Sequence, residues 1–332
     1  VYNEMIPLVE KATTEAELLD IMGKSIDYLK DGHVWIDTKF KHRGCFTFYY
    51  DENGVRYPNN YVSGLVQEKY LDTPFKTRNG HVYGTITRNN KTFFYLHHAD
   101  FTKALNNEDL EMFKPLIEKA DGIIYDIRTN PGGNAQLSVD IAGRFFKEKT
   151  LVGYQVSKTG KGYDDLGELI PLYVKPIEVG KSNWTDIKTT VLTNRDVYST
   201  ANMFACFMKE APNATLIGGI TGGGGGQPCS FYLPNGWTIT MSGQKLTLDV
   251  NQIHIERGIE PDIYVTITEE DKNNKDEQIS KTYDLSFEEE IALRNIDLLK
   301  EEVIAMCRYE NPNGGHRWDI ADDKKWTTSG FD

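Results

Sequence analysis

The sequence predicts an α/β fold with a mainly parallel sheet. Two segments carry this prediction, because each reads as an apolar strand, a turn and an amphipathic helix. The first is 122–146, with GIIYDI followed by the turn TNPGG, and the second is 189–211, reading TTVLTNRDVYSTANMFACFMKEA. The nearly continuous apolar run at 122–127 is typical of a strand covered on both faces. Because open α/β sheets bind ligands at the carboxyl ends of their strands, we expect the site at these two turns.

The composition indicates a globular chain with an acidic balance. The 332 residues include 39% hydrophobic and 11% aromatic residues, and the formal net charge is −12. This charge argues against nucleic acid or an anionic membrane as the main partner. No apolar run approaches the roughly 18 residues that a membrane span needs. The chain starts at Val1 and not at Met, which is consistent with a trimmed or mature form.

Neither the cysteines nor the histidines predict a metal site or a cofactor. The sequence has four cysteines, Cys45, Cys206, Cys229 and Cys307, which lie far apart without metal-type spacing. One disulfide stays open, and the sequence does not name its pair. His97 ends the predicted strand 92–97, and His98 follows it directly. Adjacent residues of a strand point to opposite faces, so the two imidazoles are not placed to bind one ion.

The first predicted element is a helix that leads to a histidine. Thr14 and Glu17 form a capping box, and an apolar stripe at helical spacing runs from Leu18 to Leu29. Gly32 is the predicted terminator. His33 follows directly, at the junction with an alternating strand pattern, where a side chain can point into a cleft. A hydrogen-bonded turn histidine is the alternative interpretation.

The segment 40–85 reads as short strands and loops, such as a strand at 45–50. It is either a small substrate-facing subdomain or an elaboration of the sheet. Asn107 then caps a predicted helix that runs through Ile117. Five consecutive glycines, Gly222–Gly226, read as a flexible loop with no fixed geometry, which could close over a bound substrate.

Ser199 stands directly before the helix of the second βα segment. A serine there can cap the helix, and capping is the common role of such a residue. The same position also lies where backbone N–H groups are unpaired and the helix dipole is positive. An oxyanion forming beside the serine oxygen would be stabilised there. The segment by itself therefore leaves both an N-cap and a nucleophile open.

The region after 230 contains two predicted hairpins and then an acidic cluster. The hairpins turn around 234–236 and near 249–252. In the cluster, Glu256, Glu260 and Asp262 are each able to orient an imidazole. Beyond it, 268–281 reads as a solvated charged loop, and Ser286 with Glu289 forms a capping box before a C-terminal helix.

Four of these segments, in order, resemble the C-terminal-processing and tricorn-core family of serine peptidases. The resemblance covers roughly residues 5 to 300. Its motifs are the D-G-H turn at 31–33, the D-x-R-x-N-x-G-G run at 126–133, the serine before an apolar helix, and G-I-x-P-D at 258–262. The family's processing branch pairs serine with a lysine about two dozen residues later, where this chain has Gly222–Gly226. The tricorn-like branch uses the histidine of the D-G-H turn, which His33 matches.

The resemblance implies a catalytic set and an architecture. It identifies Ser199 as nucleophile, His33 as general base and Glu256 as the orienting carboxylate. The implied oxyanion donors are the backbone N–H of Thr200 and that of Gly132 or Gly133. The implied fold is α/β with a crotonase-like ββα core, a small N-terminal helical element and a C-terminal helix. The expected divisions are 1–39, 40–85, a peptidase core at 86–285, and 286–332.

The implied function is a serine peptidase that hydrolyses peptide bonds through an acyl-enzyme, with a peptide or protein substrate and no cofactor. A catalytically inactive peptide-binding relative is one alternative. Asn202 suggests it, because the family usually has glutamate there, and so does Gly32, where the tricorn core has a serine. An esterase-like hydrolase using the same three residues is another. Members of the family are often exported, which implies a periplasmic, cell-surface or extracellular location.

Overall fold

The computed structural model describes residues 1–51, 53–57, 61, 64–88, 90–160, 165–177, 182–265, 318–320 and 326–328. The chain divides into two compact units, Val1–Gln278 and Ile279–Asp332. Three short 3₁₀ turns in the first unit lie at Thr47–Tyr49, Gly143–Phe145 and Ile255–Arg257. The α-helices described in that unit are α1 (Tyr2–Val9), α2 (Glu15–Asp27), α3 (Leu65–Lys69), α4 (Asn107–Ile117), α5 (Ala135–Ala142) and α6 (Thr200–Lys209).

The first unit contains two sheets. Its strands are β1 (Trp35–Asp37), β2 (His42–Gly44), β3 (Phe75–Lys76), β4 (Val82–Arg88), β5 (Lys91–His97), β6 (Gly122–Asp126), β7 (Thr150–Ser157), β8 (Ile170–Val174), β9 (Thr189–Thr193), β10 (Ala214–Gly218), β11 (Gly226–Tyr232), β12 (Thr238–Leu248) and β13 (Ile263–Tyr264). One sheet has the order β13-β10-β9-β6-β5-β4-β3. Its strands from β13 to β5 are parallel, and β4 and β3 are antiparallel. The α/β prediction is confirmed.

The second sheet is antiparallel, and the sequence patterns did not predict it as a separate layer. Its order is β2-β1-β12-β7-β8, and β11, which lies off this path, also pairs with β12. The turn at 234–236 joins β11 to β12, as expected for the first predicted hairpin. Strand β1 lies about 200 residues from β12 along the chain and still pairs Ile36 with Ile239. Such a pairing leaves no mark in local periodicity.

The main core lies where helices α4, α5 and α6 cover the parallel sheet. Every residue of β6 is buried, as the apolar run predicted. The aromatic side chains of Phe94, Phe113, Tyr125 and Phe204 are each fully buried within this core. A smaller cluster packs α2 against β1 and Trp237. The N-terminal helix is thereby fixed to the antiparallel sheet, next to the D-G-H turn.

Helix α2 begins where the sequence predicted and ends earlier. Thr14 and Glu17 form the expected capping box. The helix ends at Asp27, however, and not near Gly32. Lys30 takes a positive φ of 51° and turns the chain, which leaves the Leu29 side chain 55% exposed. Gly32 is therefore not the helix terminator.

Two other local predictions differ from the structure, one in the type of element and one in position. The predicted strand at 45–50 is instead the 3₁₀ turn Thr47–Tyr49, preceded by β2. The cap of α4 is Asn106, not Asn107, because the Asn106 side chain accepts from the Asp109 N–H and the Asp109 carboxylate accepts from the Asn106 N–H. The short helix α1 at Tyr2–Val9 was not predicted.

The predicted loop at 268–281, the helix after Ser286 and Glu289, and Cys307 lie outside the described residues. Within the described part of the second unit, β14 (Trp318–Ile320) and β15 (Trp326–Thr328) form an antiparallel hairpin. The cysteines within the described ranges, Cys45, Cys206 and Cys229, are free thiols. Among the described helices, none has the length and apolar character to cross a bilayer.

Candidate active site

Ser199 occupies a strained turn between β9 and α6. Its φ and ψ are 56° and −123°, a region that residues other than glycine rarely adopt. Its N–H donates to the Gly223 carbonyl at 2.9 Å. Although Ser199 is the N-cap residue of α6, its side chain makes no capping hydrogen bond. Helix capping therefore does not account for the serine at this position.

The glycine turn after β6 packs directly against Ser199. A Cβ on Gly132 would lie 2.8 Å from both the Ser199 Cβ and the Thr200 nitrogen, and the φ of Gly132 is 100°. The Gly132 N–H already donates to Asn130 Oδ1 at 2.9 Å. Among the described residues the N–H of Gly133 has no partner, and its carbonyl accepts from the Thr200 hydroxyl at 2.7 Å. Gly133 is thus the glycine whose N–H is available beside Ser199.

His33 contacts the side chain of Tyr198, the residue directly before Ser199. The imidazole is buried, with 8% exposed, and its ring packs edge-on against the Tyr198 ring at 5.0 Å between centroids. Asp31 Oδ1 accepts from the His33 backbone N–H at 2.7 Å and from the Tyr198 hydroxyl at 3.0 Å. Since Tyr198 precedes Ser199 directly, one side chain joins the D-G-H turn to the serine turn.

Gly32 fits this contact because a side chain would collide with it. A Cβ on Gly32 would lie 2.7 Å from Phe48 Cε1 and 2.9 Å from the Tyr198 hydroxyl. The glycine that departs from the tricorn pattern therefore has a packing reason in this chain.

Glu256 lies on the 3₁₀ turn Ile255–Arg257 and faces the D-G-H turn. Its Oε2 accepts from the Gly226 N–H at 2.8 Å. The Gly226 backbone and the Asp31 charge both raise the pKa of His33, and the Asp31 charge also raises the pKa of Glu256. Gly226 and Asp31 therefore each interact with both His33 and Glu256.

The other two acidic candidates are engaged elsewhere. Asp262 pairs with Lys209 Nζ and accepts from the Leu216 N–H at 2.7 Å. Glu260 is exposed and interacts electrostatically with Arg195. Of the three acids left open by the sequence, Glu256 is the one that, like His33, interacts with Gly226 and Asp31.

The glycine run Gly222–Gly226 is ordered, so its prediction as a loop of unfixed geometry is wrong. Its backbone is tied to Ser199 and Glu256 as described, and the Gly225 carbonyl accepts from the Thr247 N–H at 3.0 Å. A Cβ on Gly224 would lie 2.6 Å from Tyr198 Cε1 and 3.0 Å from the Ser199 nitrogen. The glycines are needed because neighbouring chain occupies the space of their side chains.

The charges in this site are shaped by burial. Burial lowers the pKa of His33, and the Asp31 charge and the Gly226 hydrogen bond offset part of that shift. A neutral imidazole able to accept a proton is the result at neutral pH. Burial, followed by the like charge of Asp31, raises the pKa of Glu256 to about 8. Its Oε1 and the His33 Nδ1 are buried, and neither has a hydrogen-bond partner among the described residues.

Two residues hold the Glu256 turn in place, and the sequence analysis missed their role. Asn202, on α6, donates to the Ile255 carbonyl at 2.9 Å and accepts from the Thr221 hydroxyl. The buried Arg195 donates to the carbonyls of Arg257 at 2.8 Å and of Phe48 at 2.7 Å. Asn202 stood out in the sequence only as a departure from the family pattern, and Arg195 only as part of a polar turn.

His97 and His98 serve separate structural contacts. His97 Nε2 lies 3.1 Å from the Arg128 carbonyl oxygen, and His98 Nδ1 lies 2.5 Å from the Tyr125 hydroxyl. Burial lowers the pKa of His98 to about 3. The two side chains face different partners, as the strand geometry predicted.

Comparison with known proteins places this chain in a family. The family model described as Peptidase family S41 matches residues 92–265, just over half of the 332 residues. The chain belongs to peptidase family S41, a family of serine-type peptidases and thus of hydrolases. Ser199 and Glu256 lie within the matched residues, whereas His33 precedes them.

Two solved structures are similar to this chain. The crystal structure of a putative peptidase from Parabacteroides merdae is 34% identical, with a TM-score of 0.76, and the match covers 86% of this chain and 87% of that one. Mature CPAF complexed with lactacystin is 15% identical, with a TM-score of 0.55, over 71% of this chain and 59% of that one. The second likeness shows the fold alone.

The curated relatives are matched over part of their length. A carboxyl-terminal-processing protease from Synechocystis sp. is 33% identical over 146 residues, which are 43% of this chain and 30% of that protein. Another from Picosynechococcus sp. is 26% identical over 53% of this chain and 39% of its own length. The matched stretch thus spans well under half of these relatives.

Proposed function

We propose that the protein hydrolyses peptide bonds through an acyl-enzyme, with Ser199 as nucleophile, His33 as general base and Glu256 as the carboxylate that orients His33. One observation carries the proposal. The Tyr198 side chain and the Gly226 backbone connect the serine turn, the D-G-H turn and the Glu256 turn in one hydrogen-bonded and packed cluster. A nucleophile, a base and an orienting acid are the groups that serine catalysis requires.

In the proposed reaction, His33 takes the proton of the Ser199 hydroxyl as the oxygen attacks the substrate carbonyl. The lowered pKa of His33 favours the neutral ring that can accept this proton. The imidazolium then gives the proton to the leaving amine, and a water molecule hydrolyses the acyl-enzyme by the same route. Ionised Glu256 stabilises the imidazolium.

The oxyanion is proposed to bind the N–H groups of Gly133 and Thr200. Thr200 is the first residue of α6, where the N–H has no partner within the helix. Gly132 is the weaker candidate, because its N–H already donates to Asn130. The proposed role of Gly132 is to let the glycine turn pack closely against Ser199. Loss of one such donor typically slows turnover on the order of 100- to 1000-fold.

The proposed substrates are peptides or proteins, in keeping with the family. The proposed core is of the crotonase-like ββα kind, and the proposed location is outside the cytoplasm, as suggested for family members. An inactive peptide-binding relative stays the alternative. Both departures that suggested it have local reasons, since Gly32 makes room for Tyr198 and Asn202 holds the Ile255 carbonyl.

Hydrolysis of a mixed peptide library, followed by mass spectrometry, tests the proposal. The wild type is expected to cleave a subset of peptides, and Ser199→Ala to cleave none of them. Ser230→Ala is the matched control, because Ser230 is an exposed serine on β11 whose hydroxyl contacts Thr240. Equal cleavage by Ser199→Ala and the wild type would show that another group carries the reaction.

A further inference from the structure

A cavity of about 620 Å³ lies beside helix α5, within the described part of the chain. Its walls are the first turn of α4 with the residues before it, most of α5, the 3₁₀ turn Gly143–Phe145, and the chain from Tyr173 to Ile177. None of the described lining residues belongs to the proposed catalytic set. A volume of this size lies in the range of pockets that bind small organic molecules.

The lining combines an apolar wall with a net positive charge. The apolar side chains are those of Leu105, Leu110, Leu137, Ile141 and Ile177. The charged side chains are Arg144 and Lys175, which are positive, and Asp140, which is negative. Burial lowers the pKa of His98 to about 3, so this lining residue is neutral. Because Lys175 and Asp140 are exposed and opposite in sign, the buried charge of the cavity is that of Arg144.

The hydrogen bonds of Arg144 are incomplete. The residue is 7% exposed, and its Nη1 donates to the Ser182 carbonyl. The guanidinium lies over the Trp184 ring, with 5.4 Å between Cζ and the ring centre. Its Nε is buried and has no hydrogen-bond partner among the described residues. A buried N–H without a partner is unfavourable, so an acceptor in the cavity would stabilise this side chain.

Two other buried arginines show how this chain satisfies a guanidinium elsewhere. Arg128 forms an ion pair with Asp126. Arg195 donates from Nε, Nη1 and Nη2 to backbone carbonyls. Within the described ranges, Arg144 has neither a carboxylate partner nor a full set of carbonyls. The edge that remains, Nε with Nη2, is one that can bind both oxygens of a carboxylate through parallel hydrogen bonds.

We propose that this cavity binds a small organic carboxylate with an apolar body. The carboxylate accepts from Nε and Nη2 of Arg144, and the apolar body lies against Leu110, Leu137 and Ile141. Such a ligand supplies the negative charge and the acceptor that the lining lacks. A free organic acid and the C-terminal end of a short peptide share this chemistry. Binding there does not depend on the proposed chemistry of Ser199, because the described lining excludes that residue.

Isothermal titration calorimetry with two matched pairs of ligands tests the proposal. The pairs are hexanoate with hexanamide, and N-acetyl-leucine with N-acetyl-leucinamide, and inorganic phosphate is titrated beside them. In at least one pair the acid is expected to bind about tenfold or more tightly than its amide, and more tightly than phosphate. The pair with the larger preference identifies the source of the carboxylate. Equal binding of acid and amide in both pairs, or tighter binding of phosphate, would overturn the proposal.

Two variants assign the binding to the cavity. Arg144→Gln is expected to lose the preference for the acid over the amide. Ala104→Phe fills space at the half-buried Ala104 in the lining and leaves Arg144 in place, so it is expected to weaken binding of the acid about tenfold. Arg78→Gln is the matched control, because Arg78 is an exposed arginine outside the lining, and it should bind as the wild type does. If Arg144→Gln does not fold, Ala104→Phe decides, and an unchanged affinity in it would overturn the proposal.

Nitrogen-15 NMR of the arginine Nε–H groups locates the ligand directly. The Arg144 resonance, identified by its loss in Arg144→Lys, is expected to shift when hexanoate or N-acetyl-leucine, whichever binds more tightly, is added. Ser199→Ala is expected to bind that acid with wild-type affinity. Binding that requires Ser199, or that leaves the Arg144 resonance unmoved, would overturn the carboxylate site and leave the proposed peptidase standing. Loss of peptide hydrolysis is measured separately and does not bear on this site.

Discussion

Two buried acidic centres of this molecule are built in opposite ways. In one, Asp126 is fully buried and meets the guanidinium of Arg128, which donates from Nε at 2.9 Å and from Nη2 at 2.5 Å. Burial by itself would raise the pKa of Asp126, but the Arg128 charge and hydrogen bonds outweigh it and the net pKa is lowered. In the other, burial and then the like charge of Asp31 raise the pKa of Glu256.

The partner of each buried carboxyl group decides whether the group can serve a structural or a chemical role. A buried carboxylate that faces its own cation stays charged over the working pH range, so it can hold a turn but cannot respond to protons. A largely buried carboxyl beside another acid has its pKa raised toward neutral pH, as Glu256 does. The D-x-R-x-N-x-G-G motif therefore holds a buried ion pair of Asp126 and Arg128, while the D-G-H turn carries the proposed base His33.

The largest effect on rate is expected from His33→Ala. Removing the general base should lower peptide hydrolysis by about 10⁴-fold, in line with other serine triads. The fold should remain, because the described ring contact of His33 is with Tyr198, which the substitution leaves in place. Turnover and thermal melting of this variant check both statements. Activity within about tenfold of the wild type would remove His33 from the proposed mechanism.

The variant Arg128→Met tests the other acidic centre, because it leaves Asp126 without its cation. Loss of one partner from a buried pair is expected to destabilise the fold by about 3–5 kcal/mol. Urea unfolding measures this free energy. The double variant Asp126→Leu with Arg128→Met serves as control, and it should lose less stability than Arg128→Met because no uncompensated charge remains. A single variant as stable as the wild type would contradict the comparison.

A smaller loss of rate is expected from Asn202→Ala. The Ile255 carbonyl and the Thr221 hydroxyl would lose their partner, and the turn that carries Glu256 would be less well held. We expect turnover to fall about 10- to 100-fold, since supporting hydrogen bonds around a site commonly carry effects of that size. The Michaelis constant should change little. A changed affinity with normal turnover would instead place Asn202 in substrate binding.

The smallest effect is a change in how stability depends on pH in Glu256→Gln. Between the ordinary value of 4.5 and about 8, folded Glu256 keeps a proton that the unfolded chain has lost. Stability contributed by that proton is therefore lost as pH rises through this window. Glu256→Gln has no such carboxyl, so its stability relative to the wild type should increase from about pH 5 to about pH 9. Urea unfolding at both pH values gives the difference, and a constant difference would show that Glu256 ionises normally.

Local sequence patterns predicted the elements that are determined by residues close together in the chain. The capping box of Thr14 and Glu17, the buried strand β6 and the hairpin before Trp237 were all confirmed. The antiparallel sheet was not predicted, because β1 pairs with β12 across most of the chain. Hydrophobic alternation reports which face of a strand is buried and does not report its partner.

The candidate site could be predicted only where a motif singled out a residue. Ser199, His33 and Glu256 came from family resemblance, and their roles stay predictions that the described geometry supports. The ordered state of Gly222–Gly226 had no sequence signal, since a glycine run reads as flexible until its neighbours are known. Nothing local marked Asp31 as a charge that acts on Glu256, because their interaction depends on how three distant turns meet.

The most direct test of the account is labelling of the intact protein by a fluorophosphonate, followed by mass spectrometry of the modified peptide. The account predicts one adduct per chain, on Ser199. The adduct should be absent in Ser199→Ala, strongly reduced in His33→Ala and unchanged in Ser230→Ala. Protein that gains no adduct at about pH 9, above the pKa of Glu256, where a control serine hydrolase is fully labelled, would contradict it.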